Sequence, residues 1–320
     1  MTARSSAWFI SYDIRPSKQI ERRLVFESLQ SAAVAGLSVS EKPFIGMGGV
    51  RFVDFLLANR LLGIRRFESI EHDADILARC VFNRPFHDIA VFDGNSSEYI
   101  AAKGFQEPAI VWFDYERGVS TDLKDDMISL SGSVRPGTFV FVTATAELPP
   151  ALRSINGLGK RLEQLRVDID PLGSGLLEES VNPKHFHETA ARILIAALRF
   201  GFAGRSDGRF YPYLRLNYKD STWMMTVGGY FGVEKDIRVL RESLRVKCPF
   251  LKPDDHEFVY AIRQFNITDA ERRLFDRATI AGKHRRSEKM ALRRMGFTDG
   301  TIDQYAELMR FIPRYFESAL

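Results

Sequence analysis

The stretch whose reading decides the fold is "KPFIGMGGVRFVDF", residues 42–55. The apolar run PFIG (43–46) predicts a short strand, and GMGG (46–49) a tight turn. VRFVDFLLANRLL (50–62) then predicts a helix stopped by Gly63. Three glycines in four positions let the backbone turn sharply and let a ligand approach it without meeting a side chain.

Downstream, the alternation repeats. Strands are expected at RRFESIE (65–71), DIAVFDG (88–94), PAIVWFDYE (108–116) and GTFVFVTATA (137–146). Between them fall helices at ADILARCVF (74–82), SSEYIAAKG (96–104) and DLKDDMISLSGS (122–133). Strands alternating with short helices imply βαβ units, hence a parallel sheet with crossovers on both faces. Residues 147–186 are turn-rich and break the rhythm as an insertion. A strong helix follows at 187–201. Then RFYPYLRLNYKDSTWMMTVGGYFG (209–232) places two apolar runs around KDS, a hairpin signal. Upstream, residues 16–34 form an amphipathic helix with Pro16 and Ser17 at its start. The expected organisation is an N-terminal helical segment (1–39), a cofactor-binding domain (40–232) and a mostly helical C-terminal subdomain (233–320) with a candidate strand at 257–265.

Ligands of such a sheet bind at the carboxyl edge of its strands. A dinucleotide fingerprint needs G-x-G-x-x-G; Gly46 and Gly48 fit, but the last position is Arg51. A phosphate-binding Walker loop fails because no G-K-[ST] follows. Glu71 ends the second strand, about 25 residues after Gly46, at the spacing of an acid that grips a ribose diol. Asp93 and Asn95 follow the third strand, where either one also suits the cap of the next helix. Asp114 ends the fourth.

This ordered set resembles the class I S-adenosylmethionine-dependent methyltransferases over about residues 40–232, and the helix-then-hairpin order of 187–232 is similar to the end of their sheet. The resemblance implies an α/β, Rossmann-like fold with a mostly parallel seven-stranded sheet and a terminal antiparallel hairpin. It implies S-adenosylmethionine as cofactor and methyl transfer to an acceptor that it does not identify. By the same resemblance Gly46, Gly48 and Gly49 wrap the methionine part of the cofactor, and Glu71 binds its ribose. Asp93 or Asn95 faces the adenine, and Asp114 and Tyr115 lie beside the transferring methyl. The chain departs from the family pattern at Phe44, where an acid is usual, and at the third-strand "DGN" (93–95). No NPPY or DPPY follows the fourth strand. The opening Tyr12, Arg15, Pro16, Lys18, Glu21 and Arg22 is similar to a Y-x-x-R-P-x-K-x-x-E-R pattern in bacterial methyltransferase-like proteins.

In such a site Asp114 would accept the acceptor's proton, orient the acceptor, or hold the cofactor's ammonium. Asp54, near the start of the helix after the glycine turn, gains from the helix dipole. Arg15 and Lys18 either pair with an anionic group of cofactor or substrate or, with Arg22, form a solvated helix face. His185 and His187 are two apart with no third ligand, so no metal site is expected.

The composition sets the outer bounds. Hydrophobic residues at 45% and a net charge of +4 suit a globular protein and permit a phosphate-bearing partner. Cys80 and Cys248 match no zinc spacing and read as reduced thiols of a cytoplasmic protein. No apolar run reaches membrane length. The basic run KHRRSEKMALRR (283–294) reads as a solvated helix or as phosphate contacts that would point to a nucleic-acid methyltransferase. The aromatic-rich hairpin reads as sheet packing. YAELMRFIPRYFESAL (305–320) would pack on the core or on a second subunit of a homodimer. The alternative to an enzyme is a non-catalytic cofactor- or nucleotide-binding module of a larger complex.

Overall fold

A computed structural model describes residues 15–255, 257–280 and 285–313. Tyr12, residues 283–284 of the basic run and residues 314–320 of the last helix lie outside them.

The chain opens with α1 (Pro16–Val34), followed by β1 (Phe44–Gly46), α2 (Val53–Leu62), β2 (Phe67–Glu71), α3 (Ala74–Asn83), β3 (Ala90–Asp93), α4 (Ser96–Ala102) and β4 (Ile110–Gly118). Next come α5 (Thr121–Ser133), β5 (Thr138–Thr145), the short α6 (Pro150–Arg153), α7 (Leu158–Asp168) and α8 (Phe186–Phe202). The hairpin is β6 (Arg209–Lys219) and β7 (Trp223–Gly232). It is followed by α9 (Glu234–Lys247), β8 (Tyr260–Ile262), α10 (Asp269–Thr279), α11 (Arg285–Arg294) and α12 (Asp299–Leu308). Helix α2 begins three residues later than expected, because Phe52 takes a left-handed conformation (φ 49°) as its N-cap. Within the 147–186 insertion, α7 supplies three turns of regular helix, more order than its turn-rich sequence predicts.

The sheet order is β3-β2-β1-β4-β5-β7-β6-β8. β1 to β5 run parallel and β7 is antiparallel to both neighbours. The sheet has one strand more than the seven expected: β8 lies parallel to β6, so part of the C-terminal region extends the same sheet. Strand alternation builds two cores. Phe44, Phe67, Trp112, Phe139 and Phe141 face α1, α2, α9 and the C-terminal helices, while Ile45, Val111, Phe113, Val140 and Val142 face α4, α5 and α8. Both faces are covered, which is why the central strands are almost continuously apolar. A cleft opens at the carboxyl ends of β1, β2 and β4, lined also by residues of α1 and α5.

Candidate functional site

The cleft encloses about 1100 Å³. Its floor is the turn after β1. Here the glycines divide their work. A Cβ on Gly46 would lie 2.8 Å from the Trp112 carbonyl, and one on Gly48 would lie 2.6 Å from the Phe52 ring. Those two glycines let the turn sit against β4 and α2. Gly49, at φ +52°, has open space above it. The Gly48 N–H donates to Ser69 Oγ at 3.1 Å, which ties the turn to β2.

Glu71 ends β2 on the cleft wall. One carboxylate oxygen accepts from the Asp73 N–H at 3.0 Å, and the other is 3.7 Å from Cys80 Sγ. Burial, then the Glu71 charge, pushes the Cys80 thiol up to about 12, so it stays a neutral donor. Asp93, at the end of β3, is exposed and is not among the residues that line the cleft. Asn95 does line it, while its side chain accepts from the Glu98 N–H in a capping box that starts α4.

Asp114 and Tyr115 leave β4 on opposite faces, as successive strand residues must. Asp114 turns to α1, where Lys18 Nζ lies 2.8 Å from Oδ2; the carboxylate keeps 29% of its side-chain surface exposed toward the cleft. Tyr115 turns to α5, and its phenol donates to Asp126 Oδ2 at 3.1 Å. Burial and the Asp126 charge push that phenol upward. Pairing of β4 with β5 shifts register between Asp114 and Gly118, a bulge that frees the strand end where the cleft begins.

The polar residues of α1 do not form a solvated face. Lys18, Glu21 and Arg22 are 3%, 0% and 4% exposed. Lys18 bridges Asp114 and Glu21 (3.3 Å) and stands 5.5 Å from the centre of the Trp112 ring. Burial alone would push its ammonium down, but the Asp114 and Glu21 carboxylates outweigh burial and hold it well above the usual lysine range. Glu21 accepts from Thr226 at 2.5 Å and Thr143 at 3.2 Å; burial pushes its carboxyl up against the pull of Lys18. Arg22 donates to Asp54 at 2.7 Å. The start of α1 is held by Asp220, in the β6–β7 turn, which accepts from the Ser17 and Lys18 N–H groups. The N-terminal helix is therefore one wall of the cleft.

The opposite wall carries a carboxylate that sequence reasoning missed. Asp126 on α5 is 4% exposed and accepts from Ser96 Oγ (2.9 Å), Ser97 Oγ, Tyr115 and Arg117 (2.6 Å). Only its three-dimensional neighbours identify it, since Ser96 lies 30 residues before it in the chain. His187 stacks on Trp223 with ring centres 4.2 Å apart.

The charge of the cleft is opposite to that of the chain. Its lining holds nine Asp or Glu and five Lys or Arg side chains, against an overall net charge of +4.

Sheet order, glycine turn and carboxyl-edge cleft define a class I methyltransferase architecture. The chain belongs to a methyltransferase family: the family described as "Putative O-methyltransferase" matches residues 10–320. A comparison with curated proteins found no match. Among solved structures, a putative methyltransferase from Thermobifida fusca is 15% identical, covers 68% of this chain and 82% of its own, and superposes with a TM-score of 0.38. A putative O-methyltransferase from Klebsiella pneumoniae is 11% identical over 67% of this chain and 90% of its own, TM-score 0.36. The fibrillarin pre-rRNA processing protein of Methanococcus jannaschii is 12% identical over 60% and 68%, TM-score 0.32. Among the described residues no helix is long and apolar enough to cross a membrane.

Proposed function

We propose that the protein transfers the methyl group of S-adenosylmethionine to an oxygen of its acceptor. The observation that carries this reading is the acidic cleft at the carboxyl edge of the parallel strands, with Gly49, Glu71, Asn95 and Asp114 all lining one cavity. S-Adenosylmethionine carries a sulfonium and an ammonium against one carboxylate, so an excess of carboxylates attracts it. The same excess repels the diphosphate of a dinucleotide and the phosphates of a nucleic acid.

In this reading Glu71 takes the ribose hydroxyls, Asn95 borders the adenine, and Gly49 gives the methionine part room above the turn. The bound cofactor supplies an electrophilic methyl group in line with the acceptor. Asp114 lies inside β4, where the register shift toward Gly118 begins, with Oδ2 held by Lys18 and the carboxylate partly open to the cleft. It orients an acceptor hydroxyl and takes its proton; an acceptor carboxylate would need only the positioning. Tyr115, bonded to Asp126, acts by holding the strand end in place.

Calorimetric titration with S-adenosylmethionine and S-adenosylhomocysteine tests the reading. Micromolar binding is expected, weakened by about 1–3 kcal/mol in Glu71→Ala, the scale of hydrogen bonds lost from a charged group. Absence of binding by the wild type would overturn it and favour a module that serves another ligand.

A further inference from the structure

A second hollow lies against α8. It encloses about 460 Å³ and shares no lining residue with the cleft. Its apolar floor is Ile195 and Phe200 of α8, the latter 48% exposed. Its polar lining is three arginines, Arg192, Arg199 and Arg215, with one carboxylate, Glu257. Glu257 is mostly exposed, lies 3.6 Å from Arg192, and its charge also favours the Arg215 guanidinium. Arg199 has no carboxylate partner among the described residues.

Arg215 makes this more than a basic surface. It projects from β6 and is 4% exposed. Nε donates to the Phe258 carbonyl at 2.9 Å and Nη2 to the Asp255 carbonyl at 2.6 Å, while Nη1 has no acceptor among the described residues. A buried cationic donor left unpaired is costly, and Arg199 adds repulsion. Burial and that neighbouring charge push the Arg215 guanidinium below its usual range. Both penalties fall if an anion sits among the three guanidinium groups, whose planar forks suit carboxylate and phosphate oxygens.

We propose that this hollow is a second ligand site, for a small organic acid whose carboxylate or phosphate lies among Arg192, Arg199 and Arg215 and whose apolar body rests on Ile195 and Phe200. The volume falls within the range of small-molecule sites. The site is independent of methyl transfer.

Calorimetry of the full chain with phenyl phosphate, 3-phenylpropionate and inorganic phosphate tests it. One of the two aromatic acids is expected to bind more tightly than inorganic phosphate, and the tighter one identifies the head group. Arg199→Gln, at an exposed position, is expected to weaken that binding at least about tenfold and to leave S-adenosylhomocysteine affinity and thermal stability unchanged. The proposal is overturned if neither aromatic acid binds below about 10 mM, if inorganic phosphate binds as tightly as both, or if Arg199→Gln has no effect.

Discussion

The cleft and the α8 hollow have linings of opposite charge, and they treat buried cations in different ways. In the cleft each deeply buried cation already has a carboxylate: Lys18 meets Asp114 and Glu21, and Arg22 meets Asp54. Asp126 likewise collects two serines, a tyrosine and an arginine. These cations are charge-paired, although the buried Lys18 Nζ and Glu21 Oε2 make no hydrogen bond among the described residues, and the acids left over give the cleft its sign. In the α8 hollow the buried cation, Arg215, has only backbone carbonyls, and one of its nitrogens is unpaired. Charge pairing holds a wall in place, whereas a buried cation without a carboxylate leaves capacity for an anionic ligand.

The largest expected effect breaks the charge-paired network. Lys18→Met leaves Glu21 buried without its cation and should cost about 3–5 kcal/mol in urea unfolding. Adding Glu21→Leu removes the stranded carboxyl, so the double variant should be more stable than the sum of the single losses. Strict additivity would mean that the two do not act as a pair. The pH dependence follows from the Lys18 shift. Its folded-state value lies above the ordinary 10.5, so its stabilisation is complete below that pH and fades as pH rises past it toward the folded value. The stability gap between wild type and Lys18→Met should stay constant from neutral pH to about 10 and shrink above 10.5. A gap that widens there would reverse the assignment.

Arg215→Met should cost less, about 1–3 kcal/mol for two lost hydrogen bonds to backbone carbonyls. The loss is partly offset because the variant also removes the unpaired Nη1 and the repulsion with Arg199. If it proved as destabilising as Lys18→Met, the contrast between a carboxylate-paired and an unpaired buried cation would fail. Smaller still is Tyr115→Phe, which removes one of four donors to Asp126. It should cost about 1 kcal/mol of stability and leave S-adenosylhomocysteine affinity within about twofold. A large loss of affinity would place the phenol against the ligand instead.

How far these walls were legible in the sequence depends on whether the signal was local. The strand–glycine turn–helix at 42–62 and the acids Glu71 and Asp93 that close β2 and β3 were readable, because each of those strands carries its own apolar run and its own terminal polar residue; Asp114 was expected to close the fourth strand, but β4 runs on to Gly118. The buried face of α1 was not. Lys18, Glu21 and Arg22 have the spacing of a solvated stripe, and their partners are distant in the chain: Asp54 lies 32 residues from Arg22, and Asp114, Thr143 and Thr226 lie 96 or more residues from the Lys18 or Glu21 side chain that each one meets. Asp126 was invisible for the same reason. Arg215 sits in an alternating aromatic strand whose other members pack as expected, and only the crossing of α8 over β6 brings Arg192 and Arg199 to it.

The smallest effect sharpens the comparison most directly, because it reads the sign of the cleft. S-Adenosylmethionine differs from S-adenosylhomocysteine by a methyl group and one positive charge. In a cleft with an excess of acids, that extra charge should contribute attraction that salt screens. Between about 50 and 500 mM NaCl the Debye length falls from roughly 14 to 4 Å. Affinity for S-adenosylmethionine should therefore fall about two- to threefold more than affinity for S-adenosylhomocysteine, a difference on the order of 0.5 kcal/mol. Phenyl phosphate in the α8 hollow should also weaken with salt, and there the effect should be lost in Arg199→Gln rather than depend on the methyl group. Equal salt slopes for the two cofactor forms would mean that the lining acids are neutralised by their own cations. The acidic cleft would then no longer explain the choice of a sulfonium ligand.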